Sequence, residues 1–170
     1  GAVALPYVVR VGDETHVRVA YARAGRLVGA ADPLVGDGGV LLDETTLSVW
    51  DGRLVANCRI QGFEGRGSGA RDLAWGDGRT WEGERLWELD DPGCNARMIG
   101  ALFVHPGRMD ARACGETVRL TPPWEGEVRA EVVASYGEGA FGYSDATVDG
   151  DEAVVVFERD RGLWEAAIRR

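Results

Sequence analysis

The sequence predicts an all-β protein, and three observations lead to that prediction. Short segments rich in valine, leucine or aromatic residues are bounded by Gly, Pro or Asp, which is typical of strands between turns. The dipeptides Asp51-Gly52 and Asp149-Gly150 mark two tight hairpins. The 25 glycines fit a chain with many turns. No convincing amphipathic helix competes with this interpretation.

Eleven strands are predicted, and they cover the chain from end to end. They are Val3–Val11, His16–Ala22, Thr45–Trp50, Arg53–Ile60, Arg71–Trp75, Ile99–Val104, Arg112–Leu120, Val128–Ala134, Gly142–Val148, Ala153–Glu158 and Leu163–Ile168. Two segments, Gly62–Ala70 and Asp90–Arg97, are long and polar enough to be predicted as solvent-exposed loops. No linker interrupts the series, so residues 1–170 are predicted to form one domain.

Strands of this length and regularity fit a sandwich, a barrel or a β-propeller. The segment from Ala74 to Trp81 favours the propeller, because it is similar to the Asp-box turn of propeller blades, Ser-x-Asp-x-Gly-x-Thr-Trp. Gly78, Thr80 and Trp81 fit that pattern. Ala74 replaces the serine, and the acidic residue, Asp77, comes one place late.

Composition excludes several classes of function. The formal net charge of -9 argues against nucleic-acid binding, which requires a basic surface. No apolar run approaches the length of a membrane span. No signal peptide opens the sequence, but a mature secreted chain would look the same, so the location stays open. All 19 basic residues are arginine, which reflects a GC-rich genome, adaptation to salt, or for a few of them bidentate carboxylate binding.

The cysteines and histidines are few and scattered, so we expect no metal site and no cofactor. Three cysteines cannot all pair internally; Cys94 and Cys114 could form a disulfide, whereas Cys58 is expected to be a small buried hydrophobe. His105 precedes Pro106 at a strand end, and we interpret it as structural. The six tryptophans are expected to pack between sheets.

Four residues suggest a chemistry: Glu44, Arg59, Arg112 and Tyr143, each within a strand-like segment. A tyrosine, a carboxylate and two arginines suit the binding of an anionic sugar and attack on its glycosidic carbon without a second negative charge. Each residue also has an ordinary structural explanation. Tyr143 could be a half-buried strand tyrosine, Glu44 a solvated turn carboxylate, and the arginines could lie on a sheet edge or the surface.

Several motifs that contain these residues occur in the order and spacing of the sialidase (neuraminidase) family, which the chain resembles over most of its length. The motifs are Asp43-Glu44-Thr45-Thr46-Leu47, Asp51-Gly52-Arg53-Leu54, Asn57-Cys58-Arg59, the turn before Trp81, Leu102-Phe103-Val104-His105-Pro106 leading to Arg112, Gly142-Tyr143-Ser144-Asp145, and Val156-Phe157-Glu158. Leu5-Pro6-Tyr7 resembles a segment that lines the family's pocket. Glu158 resembles a carboxylate that orients an arginine, although a surface strand end explains it equally well.

The resemblance implies a six-bladed propeller of roughly twice this length, with residues 1–170 as its C-terminal half and about three blades. The family's N-terminal half carries the first carboxylate-binding arginine and an aspartate that acts as general acid; neither motif is found here. Half a propeller would leave open blade faces. We therefore expect a partner chain that carries the N-terminal blades.

The resemblance also implies a mechanism. Sialic acid bears a carboxylate on its anomeric carbon, so a neutral tyrosine is a better nucleophile than a carboxylate. A tyrosine hydroxyl, with a free pKa of about 10, needs a nearby base. Tyr143 would be the nucleophile, Glu44 its base, and Arg59 and Arg112 the ligands of the substrate carboxylate. The expected activity is a retaining exo-sialidase acting on a sialic or related nonulosonic acid.

Two other interpretations remain open from the sequence. The first is a sialidase-like propeller that binds glycans or proteins without catalysis. The second is a propeller hydrolase for another sugar, which would not need two arginines converging on one anion. Linkage preference, the exact sugar acid, and hydrolysis as opposed to transfer are not determined by these residues.

Overall fold

The structure is a computed structural model that describes residues 1–36, 41–61, 70–89, 91–108 and 110–169. Valine- and leucine-rich segments separated by turn residues form its strands. Within those ranges the strands are β1 (Val3–Val11), β2 (Glu14–Arg23), β3 (Arg26–Ala30), β4 (Leu41–Trp50), β5 (Arg53–Gln61), β6 (Ala70–Gly76), β7 (Trp81–Glu88), β8 (Arg97–Ile99), β9 (Leu102–Pro106), β10 (Gly115–Leu120), β11 (Ala130–Ser135), β12 (Phe141–Asp149), β13 (Glu152–Arg159) and β14 (Gly162–Arg169). A short 3-10 helix spans Pro123–Glu125. The predicted loop Gly62–Ala70 lies outside the described residues, except for Ala70, which begins β6.

The strands form four antiparallel sheets, each a meander of consecutive strands: β1–β3, β4–β7, β8–β11 and β12–β14. The hairpin predicted at Asp51-Gly52 is confirmed: both residues have positive φ, 47° and 77°, as a type I′ turn requires. The hairpin at Gly150 is also confirmed, with φ of 58°. The all-β prediction is therefore correct.

The number of strands exceeds the prediction in three places. β3 and β7 were not expected, and the segment Ile99–Val104 is not one strand. It is divided by a turn at Gly100, whose φ is 56°, into β8 and β9. Arg112 was expected on a strand but lies in a turn, three residues before β10 begins.

Three apolar clusters join neighbouring sheets. The first, which includes Trp50, Trp87 and Phe103, lies between β4–β7 and β8–β11. The second packs β8–β11 against β12–β14, and the third packs β1–β3 against β4–β7. Trp124 contacts Trp50 with their ring centroids 5.1 Å apart, so most of the tryptophans do pack between sheets, as predicted.

The first strand of each sheet lies next to the first strand of the following sheet. β4 contacts β1 on one side and β8 on the other, and β8 contacts β12. Within the described residues, each of these strands pairs with its own sheet along one edge. Glu44 and Tyr143 both lie in this row, on β4 and β12.

In the part of the chain that the structure describes, no helix has the length and apolar character required to cross a membrane.

Candidate active site

A β-bulge on β4 brings the Glu44 carboxylate to Arg59. Leu42 pairs with Ile60 and Thr45 with Cys58, so Asp43 and Glu44 together oppose the single residue Arg59 on β5. The Arg59 guanidinium donates from Nη1 to Glu44 Oε2 at 2.9 Å and lies 3.9 Å from Asp43 Oδ2. One cation is thus held between two carboxylates at the end of the strand pair.

A second bulge, on β12, fixes Tyr143. Phe141 pairs with Arg159 and Ser144 with Phe157, so Gly142 and Tyr143 together oppose Glu158 on β13. Oε2 of Glu158 accepts a hydrogen bond from the Tyr143 backbone amide at 3.4 Å. The Tyr143 side chain is 44% exposed, so its ring is accessible to a ligand.

Arg112 joins this second bulge from a neighbouring turn. Its backbone carbonyl accepts a hydrogen bond from the Phe141 amide at 2.9 Å, which places the turn beside the start of β12. The guanidinium carbon lies 5.7 Å from the centre of the Tyr143 ring, within cation–π range. Nη2 of Arg112 also reaches the Gly93 carbonyl at 3.5 Å.

The segment 91–97 lies between the two bulges and is largely buried, so the prediction that Asp90–Arg97 faces solvent is wrong for its described residues. Asp91 and Cys94 are fully buried, and Ala96 is 1% exposed. Carboxylate oxygen Oδ1 of Asp91 accepts from the Gly93 amide at 2.7 Å, and the Ala96 carbonyl accepts from the Thr46 hydroxyl at 3.1 Å. The polar groups that suggested exposure are satisfied internally.

Cys94 lies in this buried loop. Burial raises the pKa of its thiol, and the Arg112 guanidinium opposes that change, while Glu44 contributes a smaller effect in the same direction as burial. The same loop contacts Arg112 through the Gly93 carbonyl and Thr46, two residues after Glu44, through the Ala96 carbonyl. All three cysteines are unpaired, so Cys94 and Cys114 form no disulfide in the structure, and Cys58 is buried as predicted.

Two clefts flank the second bulge and share Glu158 and Leu163. One, of about 370 Å³, is lined by Tyr143 together with Thr46 and Asn95 from the opposite side. The other, of about 440 Å³, is lined by Arg112 and by the turn between β13 and β14. Volumes of this size are typical of small-molecule sites.

Solved sialidases have a similar fold over part of their length. The structure is similar to Trypanosoma rangeli sialidase, with a TM-score of 0.64 at 18% identity. The same sialidase in complex with the inhibitor DANA and as a covalent intermediate with 2,3-difluorosialic acid gives TM-scores of 0.63 at 19% identity. Each match covers 99% of this chain but only 29–30% of the sialidase chain. No family model and no curated protein sequence matches the chain.

The fold is that of a sialidase β-propeller. At this level of identity the likeness extends to the fold alone. The chain spans less than a third of the length of the sialidases it matches.

Within this sialidase-like fold, the predicted residues are brought together in two groups. Glu44 contacts Arg59, whereas Tyr143 contacts Arg112 and Glu158. In the described part of the chain no hydrogen bond joins the Glu44 carboxylate to the Tyr143 hydroxyl.

Tyr7 lies apart from both groups. It is on β1 opposite Arg18, 41% exposed, and no hydrogen bond or ring contact in the described ranges links it to them. Likewise, no group of three or more His, Cys, Asp or Glu side chains within those ranges is arranged to hold a metal ion.

Sequence reasoning missed the charged residues beneath the site. Arg71, 1% exposed, donates from Nη2 to Asp91 Oδ2 at 2.9 Å and to the Cys94 carbonyl. His105 is buried on β9, with Nδ1 3.6 Å from Asp91 Oδ2 and Nε2 3.3 Å from Glu116 Oε1, which agrees with its structural interpretation. The Asp91-Pro92-Gly93 sequence, which favours an Asx turn, was the one signal for Asp91. Nothing in the sequence marks Arg71.

Proposed function

We propose that this chain contributes part of the active site of an exo-sialidase-like glycoside hydrolase. The observation that carries the proposal is the β4 bulge on a sialidase-type fold: it sets the Glu44 carboxylate 2.9 Å from the Arg59 guanidinium at the end of a strand pair. A carboxylate base and an anion-binding arginine are the two groups that a tyrosine nucleophile and an anionic sugar require. Arg112 stacks on Tyr143, which lies in the second bulge. This pair would supply the tyrosine nucleophile and a second anion-binding arginine.

In the proposed reaction, Glu44 accepts the proton of the Tyr143 hydroxyl as the phenolic oxygen attacks the anomeric carbon. The glycosidic bond breaks, and the leaving oxygen takes a proton from a general acid outside this chain. Water then attacks the anomeric carbon and gives a proton to the general acid, which is now a base; the tyrosine leaves, and the proton returns to it from Glu44. Each of the two displacements inverts the anomeric carbon, so the overall reaction retains its configuration.

The arginines would bind the substrate carboxylate through charge-assisted hydrogen bonds. Arg59 is already paired with Glu44, so a bound carboxylate would share its guanidinium with that base. Arg112 is exposed, and its contact with the Gly93 carbonyl is long at 3.5 Å, which leaves donors for a ligand. Its position over the Tyr143 ring would also favour the developing negative charge on the phenolic oxygen.

The general acid and a third arginine would come from a partner chain that carries the N-terminal blades. The solved sialidases are longer than this chain, which matches about 29% of their length, so they contain residues beyond those matched here. Glu158 faces Tyr143 through a weak 3.4 Å contact and could orient an arginine supplied by that partner.

The test is covalent labelling of the chain, alone and with any protein that co-purifies with it, by 2,3-difluorosialic acid. The expected result is a mass increase on the peptide that contains Tyr143 and release of fluorophore from a fluorogenic sialoside. Tyr143→Phe should abolish both, whereas Tyr7→Phe, the control, should leave the label on Tyr143.

Two outcomes would overturn the proposal. Labelling and turnover that survive in Tyr143→Phe would refute the nucleophile. Binding of DANA by an assembly that neither labels nor turns over would favour the non-catalytic, glycan-binding alternative.

A further inference from the structure

The buried pair Arg71–Asp91 lies under the loop that separates the two bulges. Both side chains are almost inaccessible, 1% and 0% exposed, and neither belongs to the proposed chemistry. Burying two charges is unfavourable unless they are paired and further hydrogen-bonded. A core of this size could have used apolar residues here, so the placement of the pair requires an explanation.

The pair fixes the backbone of the loop at successive residues. Asp91 Oδ1 accepts from the Gly93 amide at 2.7 Å and from the Cys94 amide at 3.4 Å. Arg71 donates to the Cys94 carbonyl as well as to Asp91. Three polar groups of residues 93 and 94 are therefore held by side chains rather than by a strand partner.

The loop, in turn, contacts both halves of the proposed site. The Gly93 carbonyl accepts from Arg112 at 3.5 Å, and the next residue but one, Asn95, lines the cleft that contains Tyr143. At its far end the Ala96 carbonyl accepts from Thr46, two residues beyond Glu44 on β4. The backbone of residues 93–96 thus sets the spacing between the β4 bulge and the Arg112–Tyr143 pair.

We infer that Arg71 and Asp91 are positioning residues that lock this loop and thereby hold Arg112 and Asn95 in place for an anionic sugar. They touch no ligand themselves; they act through the backbone of Gly93 and Cys94. The ligand part of this inference rests on the proposed function, but the locking of the loop does not.

The alkylation rates of the cysteines report whether the loop is open or closed. Cys94 lies in the locked segment, whereas Cys58 lies on β5 and is equally buried. Local opening of the loop exposes Cys94 alone, and global unfolding exposes both. Site-resolved alkylation, read by mass spectrometry of the full chain, separates these two events.

The variants are Arg71→Met and Asp91→Asn, with Arg71→Lys as the conservative variant and Leu73→Ala as the control for lost core packing. Leu73 is fully buried two residues along the same strand. In Arg71→Met and Asp91→Asn we expect alkylation of Cys94 to accelerate at least about tenfold relative to Cys58, as one charge-assisted hydrogen bond is lost. Arg71→Lys should restore part of the protection, and Leu73→Ala should change both cysteines by the same factor.

The second measurement is the affinity for DANA, followed by NMR titration together with the ring signals of Tyr143. Arg71→Met and Asp91→Asn are expected to weaken binding about tenfold and to shift the Tyr143 ring signals in the free chain, because Arg112 leaves its stacked position.

Each measurement tests a different part of this inference. Equal acceleration of Cys94 and Cys58, or none, would overturn the inference. Selective opening of Cys94 with unchanged Tyr143 signals would refute the link to Arg112. If the unaltered chain binds no DANA with or without its partner, the proposed function fails, whereas the alkylation ratio and the Tyr143 signals still decide the positioning role.

Discussion

In the β4–β5 bulge, the residue opposite the extra position is Arg59, and its charge is met by the Glu44 carboxylate at 2.9 Å. In the β12–β13 bulge the residue opposite is Glu158, and among the described residues its carboxylate accepts one hydrogen bond, of 3.4 Å, from the Tyr143 amide. The two bulges share one backbone geometry, two residues against one, but differ in how the opposing charge is compensated. Within the described residues, the opposing charge of the first bulge has an ion-pair partner, and that of the second has none.

The difference indicates that the backbone geometry of a bulge and the pairing of its opposing charge are separate features. Each bulge turns a side chain out of the regular alternation of the strand, which is what a site at a strand end requires. Charge pairing then depends on what the neighbouring sheets supply. The following predictions test whether the two bulges are independent, beginning with the largest expected effect.

Gly115→Ala should damage the second bulge most, because a Cβ at Gly115 would lie 1.8 Å from the Phe141 ring. Phe141 begins the bulge and packs between Tyr136 and Phe157, with ring centroids 5.8 Å and 5.1 Å away. Overpacking a rigid aromatic cluster is expected to cost about 3 kcal/mol in the free energy of unfolding, measured by urea denaturation.

Gly29→Ala is the matched control, since a Cβ at this exposed position on β3 meets no atom within 4 Å. Its free energy of unfolding should stay constant or rise slightly. If Gly115→Ala cost no more than this control, Phe141 would not support the bulge in the way described.

Arg59→Met should weaken the first bulge by about 1–2 kcal/mol, because the carboxylates of Asp43 and Glu44 would face each other without a cation. Adding Glu44→Gln should recover part of that loss by removing the repulsion. A double-mutant cycle from urea denaturation gives the coupling free energy between Arg59 and Glu44. A coupling near zero would show that the close contact contributes nothing to stability.

Gly142→Ala should displace the Glu158 carboxylate, because the added Cβ would lie 2.5 Å from Glu158 Oε2. The carboxylate is the end of a flexible side chain and can swing away, so the expected cost is about 1 kcal/mol. Hydrogen exchange at the Tyr143 amide should accelerate as its acceptor moves. In a Glu158→Ala background the same substitution should no longer alter that exchange; a persistent effect would mean that the backbone itself has shifted.

Glu158→Gln should change the stability of the isolated chain by less than about 0.5 kcal/mol, since within the described ranges the charge it removes makes one long hydrogen bond. This is the smallest effect and the sharpest contrast with Arg59→Met. Thermal unfolding of the two variants side by side measures it. A cost equal to that of Arg59→Met would show that Glu158 is already paired within the chain.

The sequence predicted most of the strands but missed β3 and β7, although Trp87 on β7 enters a core. β3 is exposed along its whole length, and the turn inside Ile99–Val104 depends on one glycine with positive φ. Glu44, Arg59, Tyr143 and Glu158 could be found because their motifs are local. A bulge could not, because it is a property of the pairing between two strands rather than of either one.

The buried charges were beyond prediction for a different reason. Arg71 begins a predicted strand and Asp91 lies in a polar stretch, and only the packing of two sheets around them reveals their burial. The same packing turned the predicted exposed loop at Asp90–Arg97 into a buried one over its described residues. Long-range contacts of this kind leave no periodic trace in the sequence.

The loop over Arg71 also bears on the order of folding. One of its contacts comes from far away along the chain, since Thr46 reaches the Ala96 carbonyl across 50 residues. Just beyond the loop, Ser48 accepts from the Gly100 amide across 52 residues. Contacts between such distant residues close large loops and form slowly, after local hairpins exist. The segment that spaces the candidate catalytic groups is therefore expected to be among the last parts to become ordered during folding, so the chain would acquire its fold before it acquires its site.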